Sequence, residues 1–342
     1  MADPGLLLNY GWSDSVAESF DPHLHIGSIP ARVVRVDRGE SYAATSDGIV
    51  RARTTADPVC TGDWVVLDEY HRVAQIIQRR SEIRRASAGA QSASQLLATN
   101  IDTVLVVAAL DQTLSLGRVE RLLALAWESG AQPVAVLTKS DLANDLETTL
   151  DEVRASAPGV PVVAVGATTG DGMDVLTALL TGTVVLLGAS GAGKSTLANA
   201  LLGEECLATN DVRGVDGKGR HTTVARELVP LPFGGQLIDT PGLRGVGLWD
   251  VVDGLNKAFA DVEEFGVACR FGDCAHSGEP GCAVQEAIDA GLLPQRRLDS
   301  YRKLARENEW MAARSDARLR AERTRAVKIQ TRASRSLYRS RR

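Results

Sequence analysis

The stretch LLGASGAGKSTLANALLG, which runs from Leu186 to Gly203, decides the fold of this 342-residue chain. Its apolar start predicts a buried strand, its glycine-rich centre a tight turn, and its end a helix. The turn fits the pattern G-x-x-x-x-G-K-[ST], in which converging backbone N–H groups bind phosphates. Lys194 is expected to reach the β- and γ-phosphates, and Ser195 to ligate Mg²⁺. We therefore predict a nucleotide site made by Gly188, Ala189, Ser190, Gly191, Ala192, Gly193, Lys194, Ser195 and Thr196.

A second phosphate-side motif is LIDTPGL at residues 237–243. Asp239 ends an apolar segment that predicts a strand, and a carboxylate there can hold Mg²⁺ through a water molecule. The N–H of Gly242 can meet the γ-phosphate, so this segment is expected to respond to hydrolysis. The pattern D-x-x-G is weak alone and strong when it follows a phosphate loop.

The base is indicated by VLTKSD at residues 136–141. The carboxylate of Asp141 can accept hydrogen bonds from the N1–H and 2-amino groups of guanine, whereas adenine offers neither donor. Lys139 can lie along the base, with Ser140 between the two. The segment resembles the N-K-x-D string of GTPases, except that Thr138 replaces the Asn, which predicts a lower affinity for GTP.

A further loop, VGATTG at residues 165–170, resembles the fifth GTPase motif, which is usually Ser-Ala. Gly166 stands where the Ser is expected. The N–H of Ala167 would face the O6 atom of guanine. The motif is weak alone and supports guanine only beside the others.

The order of these motifs predicts a circularly permuted domain. In ordinary GTPases the phosphate loop comes first and the base motifs last, whereas here the base motifs come first. Apolar strand candidates alternate with amphipathic helices from about residue 98 to 246, which predicts a mostly parallel sheet with helices on both faces. We predict an α/β P-loop GTPase domain over residues 87–246, whose chain leaves at the segment that senses the γ-phosphate.

Residues 31–86 have a different pattern, with short alternating segments broken by turns. This pattern predicts a small β-barrel of about five strands, of the OB type. Residues 1–30 form an N-terminal extension with little periodicity. Arginines recur across the barrel segment, which suits contact with nucleic acid or an ordinary charged surface; they are Arg32, Arg35, Arg38, Arg51, Arg53, Arg72, Arg79, Arg80, Arg84 and Arg85.

The C-terminal part, residues 247–342, is expected to be mostly helical and to bind one metal ion. The string CRFGDCAHSGEPGC has the spacing C-x₄-C-x-H-x₅-C, and three thiolates with one imidazole suit tetrahedral Zn²⁺. The predicted ligands of this structural zinc are Cys269, Cys274, His276 and Cys282. Cys60 and Cys206 stand alone and are predicted to be packing residues.

The permuted order, the N-terminal barrel and the Cys/His cluster together resemble the small-ribosomal-subunit-dependent GTPase A family. The resemblance covers about residues 31–310 and includes GDWV at 62–65, NID at 100–102 and GRHTT at 219–223. It implies GTP hydrolysis stimulated by the small (30S) ribosomal subunit, late maturation of that subunit, and binding to its 16S ribosomal RNA.

GRHTT lies where the first switch belongs. Thr222 or Thr223 would complete the Mg²⁺ shell, and we favour Thr222. Leu243 follows Gly242, where many GTPases carry a Gln that orients water, so intrinsic hydrolysis should be slow. Our hypothesis is that His221 supplies the catalytic group when the ribosome orders this loop, although a structural role of that histidine is open.

Composition indicates a cytoplasmic protein, and we expect it to be a monomer. No apolar run approaches membrane-spanning length, no signal peptide is evident, and five cysteines do not suggest a disulfide scaffold. The net charge is −5, but residues 323–342 carry eight basic side chains and no acidic one. Such a tail predicts a local contact with a polyanion.

These observations predict a ribosome-stimulated GTP hydrolase that binds GTP and GDP, Mg²⁺ and one Zn²⁺. Two alternatives remain open at this point. One is a GTP-binding RNA scaffold with little turnover. The other is a metabolic P-loop ATPase or kinase, against which Asp141 argues because adenine cannot pair with it.

Overall fold

The computed structural model describes residues 3–25, 27–37, 40–53, 58–85, 95–203, 226–239 and 251–315.

The N-terminal segment is packed onto the molecule and is partly helical. The rings of Trp12, Phe20 and Trp64 form a cluster with centroids 5.3–6.0 Å apart, which joins this segment to the barrel. Its elements are a 3-10 helix over Gly5–Tyr10, helix α1 over Asp14–Phe20 and a 3-10 turn over Asp21–His23.

Five antiparallel-paired strands follow, as the alternating pattern predicts. The central strand β1 pairs with β2 and β4, β2 pairs with β3, and β4 pairs with β5. A parallel bridge between Arg53 and Arg72 connects the two ends of this order. Small and branched apolar side chains fill the interior. The strands are β1 (Ile29–Asp37), β2 (Glu40–Ala44), β3 (Ile49–Ala52), β4 (Trp64–Leu67) and β5 (Val73–Ile76).

Two short strands lead from the barrel into the large sheet, where strands and helices alternate. The short antiparallel pair is β6 (Glu82–Arg85) and β7 (Gln95–Thr99). The strands of the sheet are β8 (Thr103–Ala109), β9 (Gln132–Thr138), β10 (Val162–Val165), β11 (Thr183–Gly188), β12 (Arg226–Pro230) and β13 (Gln236–Asp239). The helices are α2 (Leu116–Glu128), α3 (Leu146–Ser156), α4 (Met173–Leu179) and α5 (Lys194–Leu202).

The sheet order, β10-β9-β8-β11-β13-β12, confirms the predicted architecture. The first five strands are parallel, and β12 is antiparallel to β13. Parallel strands covered on both faces read as continuous apolar runs, and residues 104–107 of β8 are all buried. The base motifs are carried by β9 and β10 and the phosphate loop by β11, so the sheet places them at one edge although the chain order is permuted.

The barrel joins this sheet through β1 and through a buried arginine. Strand β1 pairs with β12, with Arg35 opposite Glu227. The guanidinium of Arg32 is fully buried, donates to the carbonyl of Tyr10 and the hydroxyl of Thr183, and lies 4.8 Å from the centre of the Trp64 ring. Burial lowers the pKa of Arg32 to about 10, so it remains charged at neutral pH. Arg32 is therefore a structural residue and not part of a nucleic-acid surface.

Four helices complete the described part of the chain, as the C-terminal pattern predicts. Helix α6 lies so close to α2 that a Cβ atom on Gly254 would collide with the carbonyl of Ala124. No helix in the described ranges is both long enough and apolar enough to cross a bilayer. The four are α6 (Val252–Ala258), α7 (Ala260–Gly266), α8 (Ala283–Asp289) and α9 (Gln295–Ser315).

A buried ion cluster attaches these helices to the α/β domain. Arg297 of α9 is fully buried and pairs with Glu120 of α2 at 2.9 Å and with Asp261 of α7 at 2.5 Å. Its Nη1 atom also donates to the carbonyl of Ser156, at the end of α3. Glu120 is fully buried as well and accepts a further bond from Ser300. Each charge has several partners, and these bonds together fix the orientation of the C-terminal helices at this junction.

Replacing Arg297 should destabilise this junction strongly. Arg297→Ala leaves the buried carboxylate of Glu120 with less compensating charge, and such a loss costs about 3–5 kcal/mol. Urea unfolding monitored by tryptophan fluorescence should show the decrease. The control is Arg154→Ala, which removes the solvent-exposed partner of Asp151 and should cost less than about 1 kcal/mol. Equal midpoints for the two variants would contradict the structural role given to the cluster.

Candidate functional site

The phosphate loop connects β11 to α5 at residues 188–195. Gly191 and Gly193 have φ angles of +80° and +79°, which favour glycine, and they direct the backbone into a concave turn. The ammonium of Lys194 donates to the carbonyls of Gly188 and Ala189, at 2.9 and 2.6 Å. The lysine side chain therefore lies over the loop. In loops of this motif the backbone N–H groups converge on an anion.

The base-recognition turn, residues 138–142, begins where β9 ends. Thr138 is buried, and its hydroxyl donates to the carbonyl of Ala192 in the phosphate loop at 2.8 Å. Lys139 adopts a φ of +59°. The carboxylate of Asp141 is exposed and has no hydrogen-bond partner among the described residues. The turn is thus anchored to the phosphate loop at one end and presents an unused acceptor at the other.

Asp111 is a candidate site residue that the sequence analysis missed. Its carboxylate lies 2.5 Å from the ammonium of Lys139, just after β8. Residues 103–109 of β8 pair with residues 132–138 of β9, so the segments that follow both strands start at the same level. The sequence did contain a signal for this residue: an acidic side chain shortly after a buried strand, at the edge of the sheet where the other motifs lie. Because Asp111 pairs with Lys139, it holds the side chain of this lysine, which the sequence analysis expects to lie along the base.

The second base loop, residues 166–171, follows the neighbouring strand β10. Val165 pairs with Thr138, so the two base segments leave adjacent strands at one level. The N–H of Ala167 is without a hydrogen-bond partner in the described part of the chain. Gly166, Ala167 and Ser140 therefore lie at the junction of the two segments, where the sequence analysis places the base.

The predicted switch residues are described only in part. Asp239 is the last residue of β13, which runs parallel to β11, and the preceding Ile238 pairs with Val185 of β11. His221, Thr222 and Gly242 lie outside the described residues, and so do Thr223 and Leu243. The structure brings together the phosphate loop and both base segments, and the assignment of the switches stays a prediction.

The Cys/His cluster is assembled between α7 and α8. The ligand atoms of Cys269, Cys274, His276 and Cys282 all lie within 4.8 Å of one another. Nδ1 of His276 is 3.6 Å from the sulfur of Cys269 and 3.5 Å from that of Cys282, and these two sulfurs are 3.9 Å apart. The four predicted ligands thus form a group that could hold a metal ion.

The loop around this cluster is supported from outside. The carboxylate of Glu279 accepts from the N–H groups of Ala275 and Ser277. Arg302 of α9 donates to the carbonyl of His276. These contacts stabilise the left-handed backbone conformation of His276, whose φ is +58°. Cys60, by contrast, lies apart from the cluster, and burial raises the pKa of its thiol to about 12, as expected of a packing residue. Cys206 lies outside the described residues.

Comparison with curated sequences gives relatives over nearly the whole chain. The Streptomyces coelicolor protein "Small ribosomal subunit biogenesis GTPase RsgA" is 53% identical over 330 residues, which are 92% of this chain and 90% of that protein. The Lactiplantibacillus plantarum protein "Small ribosomal subunit biogenesis GTPase RsgA 2" is 39% identical, over 90% of this chain and 91% of its own length.

Two solved structures are similar in fold. YjeQ from Thermotoga maritima has a TM-score of 0.63 at 25% identity and covers 82% of this chain and 98% of its own. YloQ, described as a circularly permuted GTPase, has a TM-score of 0.61 at 22% identity and covers 84% and 97%. A family model for the RsgA GTPase matches residues 76–249, which include the phosphate loop and both base segments. This chain therefore belongs to the RsgA family of circularly permuted GTPases and is a GTP hydrolase.

Proposed function

We propose that this GTPase binds the small (30S) ribosomal subunit and hydrolyses GTP to GDP and phosphate there, late in the maturation of that subunit. The observation that carries the proposal is the contact between the base-recognition turn and the phosphate loop, at Thr138 and Ala192. In this proposal the carboxylate of Asp141 and the ammonium of Lys194 lie at the two ends of one nucleotide. Relatives that span the chain are named for small-subunit biogenesis.

In this proposal GTP binds with Mg²⁺, for which Ser195 and Thr222 are the assigned protein ligands. Asp239 contributes through water, and Gly242 contacts the γ-phosphate. His221 acts in catalysis once the subunit orders the first switch. The small subunit is needed because Leu243 has no polar group with which to orient the attacking water.

The flanking domains are connected directly to both proposed switches. The segment that contains GRHTT continues into β12, whose backbone pairs with β1 of the barrel. The segment that contains Gly242 continues into α6, which packs against α2. A change at the γ-phosphate therefore has a short covalent route to the barrel and to the C-terminal helices, which supports nucleotide-dependent binding to the subunit.

The 16S ribosomal RNA is the proposed partner of the barrel, residues 31–86, which we interpret as OB-type. Tyr70 is 65% exposed, and the guanidinium of Arg72 lies 5.2 Å from its ring centre. Arg35 lies 5.5 Å from the ring of Tyr42 in the same way. The Tyr70–Arg72 pair is exposed, whereas the Tyr42–Arg35 pair is half-buried. Exposed pairs of aromatic rings and guanidinium groups can stack on unpaired bases. The basic tail, outside the described residues, would add phosphate contacts.

We assign Zn²⁺ to the Cys/His cluster, within a C-terminal domain of residues 247–342. With Zn–S near 2.3 Å and Zn–N near 2.0 Å, a tetrahedral site separates sulfurs by about 3.8 Å and sulfur from nitrogen by about 3.5 Å. The distances at Cys269, His276 and Cys282 fit these values. Four protein ligands leave no open position, so the zinc is structural. We further propose that residues 87–246 are the GTPase domain, that residues 1–30 are an extension, and that the protein is a cytoplasmic monomer.

Asp141→Asn should remove the preference for guanine. The substitution replaces an acceptor of two charge-assisted hydrogen bonds, each of about 1.5–3 kcal/mol, so GTP affinity should fall by at least about 100-fold while ATP affinity stays low. Equilibrium titration with both triphosphates measures the change. Glu147→Gln, which makes the same exchange at an exposed position on α3, is the control. If Asp141→Asn leaves the choice between the two nucleotides intact, the pocket is misassigned.

His221→Ala should abolish most of the stimulation by the ribosome without affecting nucleotide binding. Loss of a catalytic proton-transfer or water-orienting group lowers turnover by about 100-fold or more. Multiple-turnover GTP hydrolysis would be measured with small subunits, with large subunits and with neither, and His25→Ala serves as the control. Full stimulated turnover in His221→Ala would exclude its catalytic role, and no turnover in the wild type would favour a scaffold.

Cys282→Ser should release the metal while guanine binding persists, because the cluster lies apart from the nucleotide loops. Elemental analysis should find one zinc per wild-type chain, and the variant should have lost it, with a lower melting temperature. GDP binding should stay within about twofold of the wild type. Cys60→Ser, which alters a buried thiol of the barrel, should retain its zinc. A variant that kept the full zinc content would contradict the ligand assignment.

A further inference from the structure

The second base loop lacks the serine that such loops usually carry, and another hydroxyl occupies its place. A Cβ atom built on Gly166 would lie within 3.0 Å of the hydroxyl oxygen of Thr169, closer than nonbonded atoms allow. The same Cβ would lie 3.5 Å from the hydroxyl oxygen of Ser140, on the base-recognition turn. The space beside Gly166 is therefore filled by a side chain from three residues further along the loop.

Thr169 is held in this position by a charged acceptor. Its hydroxyl donates to the carboxylate of Asp171 at 2.6 Å and also lies 3.2 Å from the carbonyl of Gly166. The short distance to an ionised oxygen identifies the carboxylate as the main acceptor, since charge-assisted bonds are the shorter and stronger ones. This bond favours the rotamer that brings the Thr169 hydroxyl close to Gly166.

The backbone of the same loop is closed around Gly166. Its N–H donates to the carbonyl of Asp171 at 3.0 Å, and its carbonyl accepts from the N–H groups of Thr169 and Gly170, at 3.1 and 2.7 Å. These bonds occupy both polar groups of Gly166. The next residue, Ala167, keeps an N–H without a partner in the described ranges. The direction of that N–H is consequently set by the closure of residues 166–171.

We propose that Thr169, with Asp171 as its acceptor, is a positioning residue that replaces the missing serine and orients the Ala167 N–H toward O6 of guanine. The inference rests on the proposed function, in which Ala167 faces the base. Thr169 does not itself contact the nucleotide. It acts by holding the second base loop against the base-recognition turn at Ser140.

The size of the effect follows from the exposure of the loop. Thr169 and Asp171 are both exposed, so water competes for their hydrogen bond and its net contribution is small. Loss of the hydroxyl should therefore weaken guanine nucleotide binding by about threefold to tenfold. It should not change the preference over adenine, which depends on Asp141.

The test is a set of loop variants titrated with GDP and with 6-thioguanosine diphosphate. The thio analogue keeps the N1–H and 2-amino groups that Asp141 binds, but it places a weak acceptor, sulfur, where O6 stands. Thr169→Ala should lower affinity for GDP by about threefold to tenfold and affinity for the thio analogue by less than about twofold. Thr169→Ser should match the wild type with both ligands.

Reciprocal rescue at Gly166 separates this role from general loop stability. Gly166→Ser alone should weaken GDP binding, because its Cβ displaces the Thr169 hydroxyl. The double variant Gly166→Ser with Thr169→Ala should recover to within about twofold of the wild type, since the serine then has room and supplies the hydroxyl. Thr168→Ala is the matched control, because the hydroxyl of this neighbour has no partner among the described residues.

Three outcomes would overturn the proposal: unchanged GDP affinity in Thr169→Ala, equal losses with both nucleotides, or additive losses in the double variant. In all three cases the variant protein would still bind GDP more tightly than ADP. They can therefore be distinguished from a failure of the proposed function. In that case Asp141→Asn would leave the preference for guanine over adenine nucleotides unchanged.

Discussion

The parallel register of β8, β9, β10 and β11 is the constraint on which the site depends. Residues 103–109 of β8 are aligned with residues 132–138 of β9, and residues 184–188 of β11 lie beside residues 103–107 of β8. The loops that follow these strands must therefore emerge at one edge of the sheet. This alignment places the segments that contain Asp111, Asp141 and Lys194 at the same edge of the sheet, whatever their order along the chain. A permuted sequence retains the site because the register, and not the connectivity, sets the geometry.

Two junctions between domains are built from buried arginines in different surroundings. Arg32 has mainly carbonyl and hydroxyl partners and an aromatic ring, so its charge is compensated by dipoles and by Trp64. Arg297 has two carboxylates, Glu120 and Asp261. The first junction lies at the amino-terminal end of β11, where Arg32 contacts Thr183, and the second lies on α2 at Glu120. Since each requires several bonds at once, the flanking domains are held in defined orientations.

The chain departs from the usual GTPase motifs at Thr138 and Gly166, and the structure compensates for the two changes in different ways. Thr138 is shorter than the expected asparagine, yet its hydroxyl reaches the phosphate-loop carbonyl of Ala192. Here a Cβ on Gly193 would lie 3.1 Å from the Thr138 hydroxyl, so a close approach of the two loops makes up for the shorter side chain. At Gly166 the missing side chain leaves room that Thr169 fills. A departure from a motif is thus not by itself a lost function, since the surrounding loops can provide the atoms.

The sequence by itself determined the elements and the chemistry that are local in the chain. Apolar periodicity predicted the strands and helices around residues 186–203, and the fixed spacing of Cys269, Cys274, His276 and Cys282 predicted the ligand cluster, because neighbours within one short loop must meet. Only the tertiary structure decided contacts between distant segments, such as Asp111 with Lys139 and Arg297 with Glu120. It also showed that Arg32, one of ten similar arginines in the sequence, is buried. The physical reason is that burial and ion pairing depend on strand register and helix packing, which no single stretch of residues encodes.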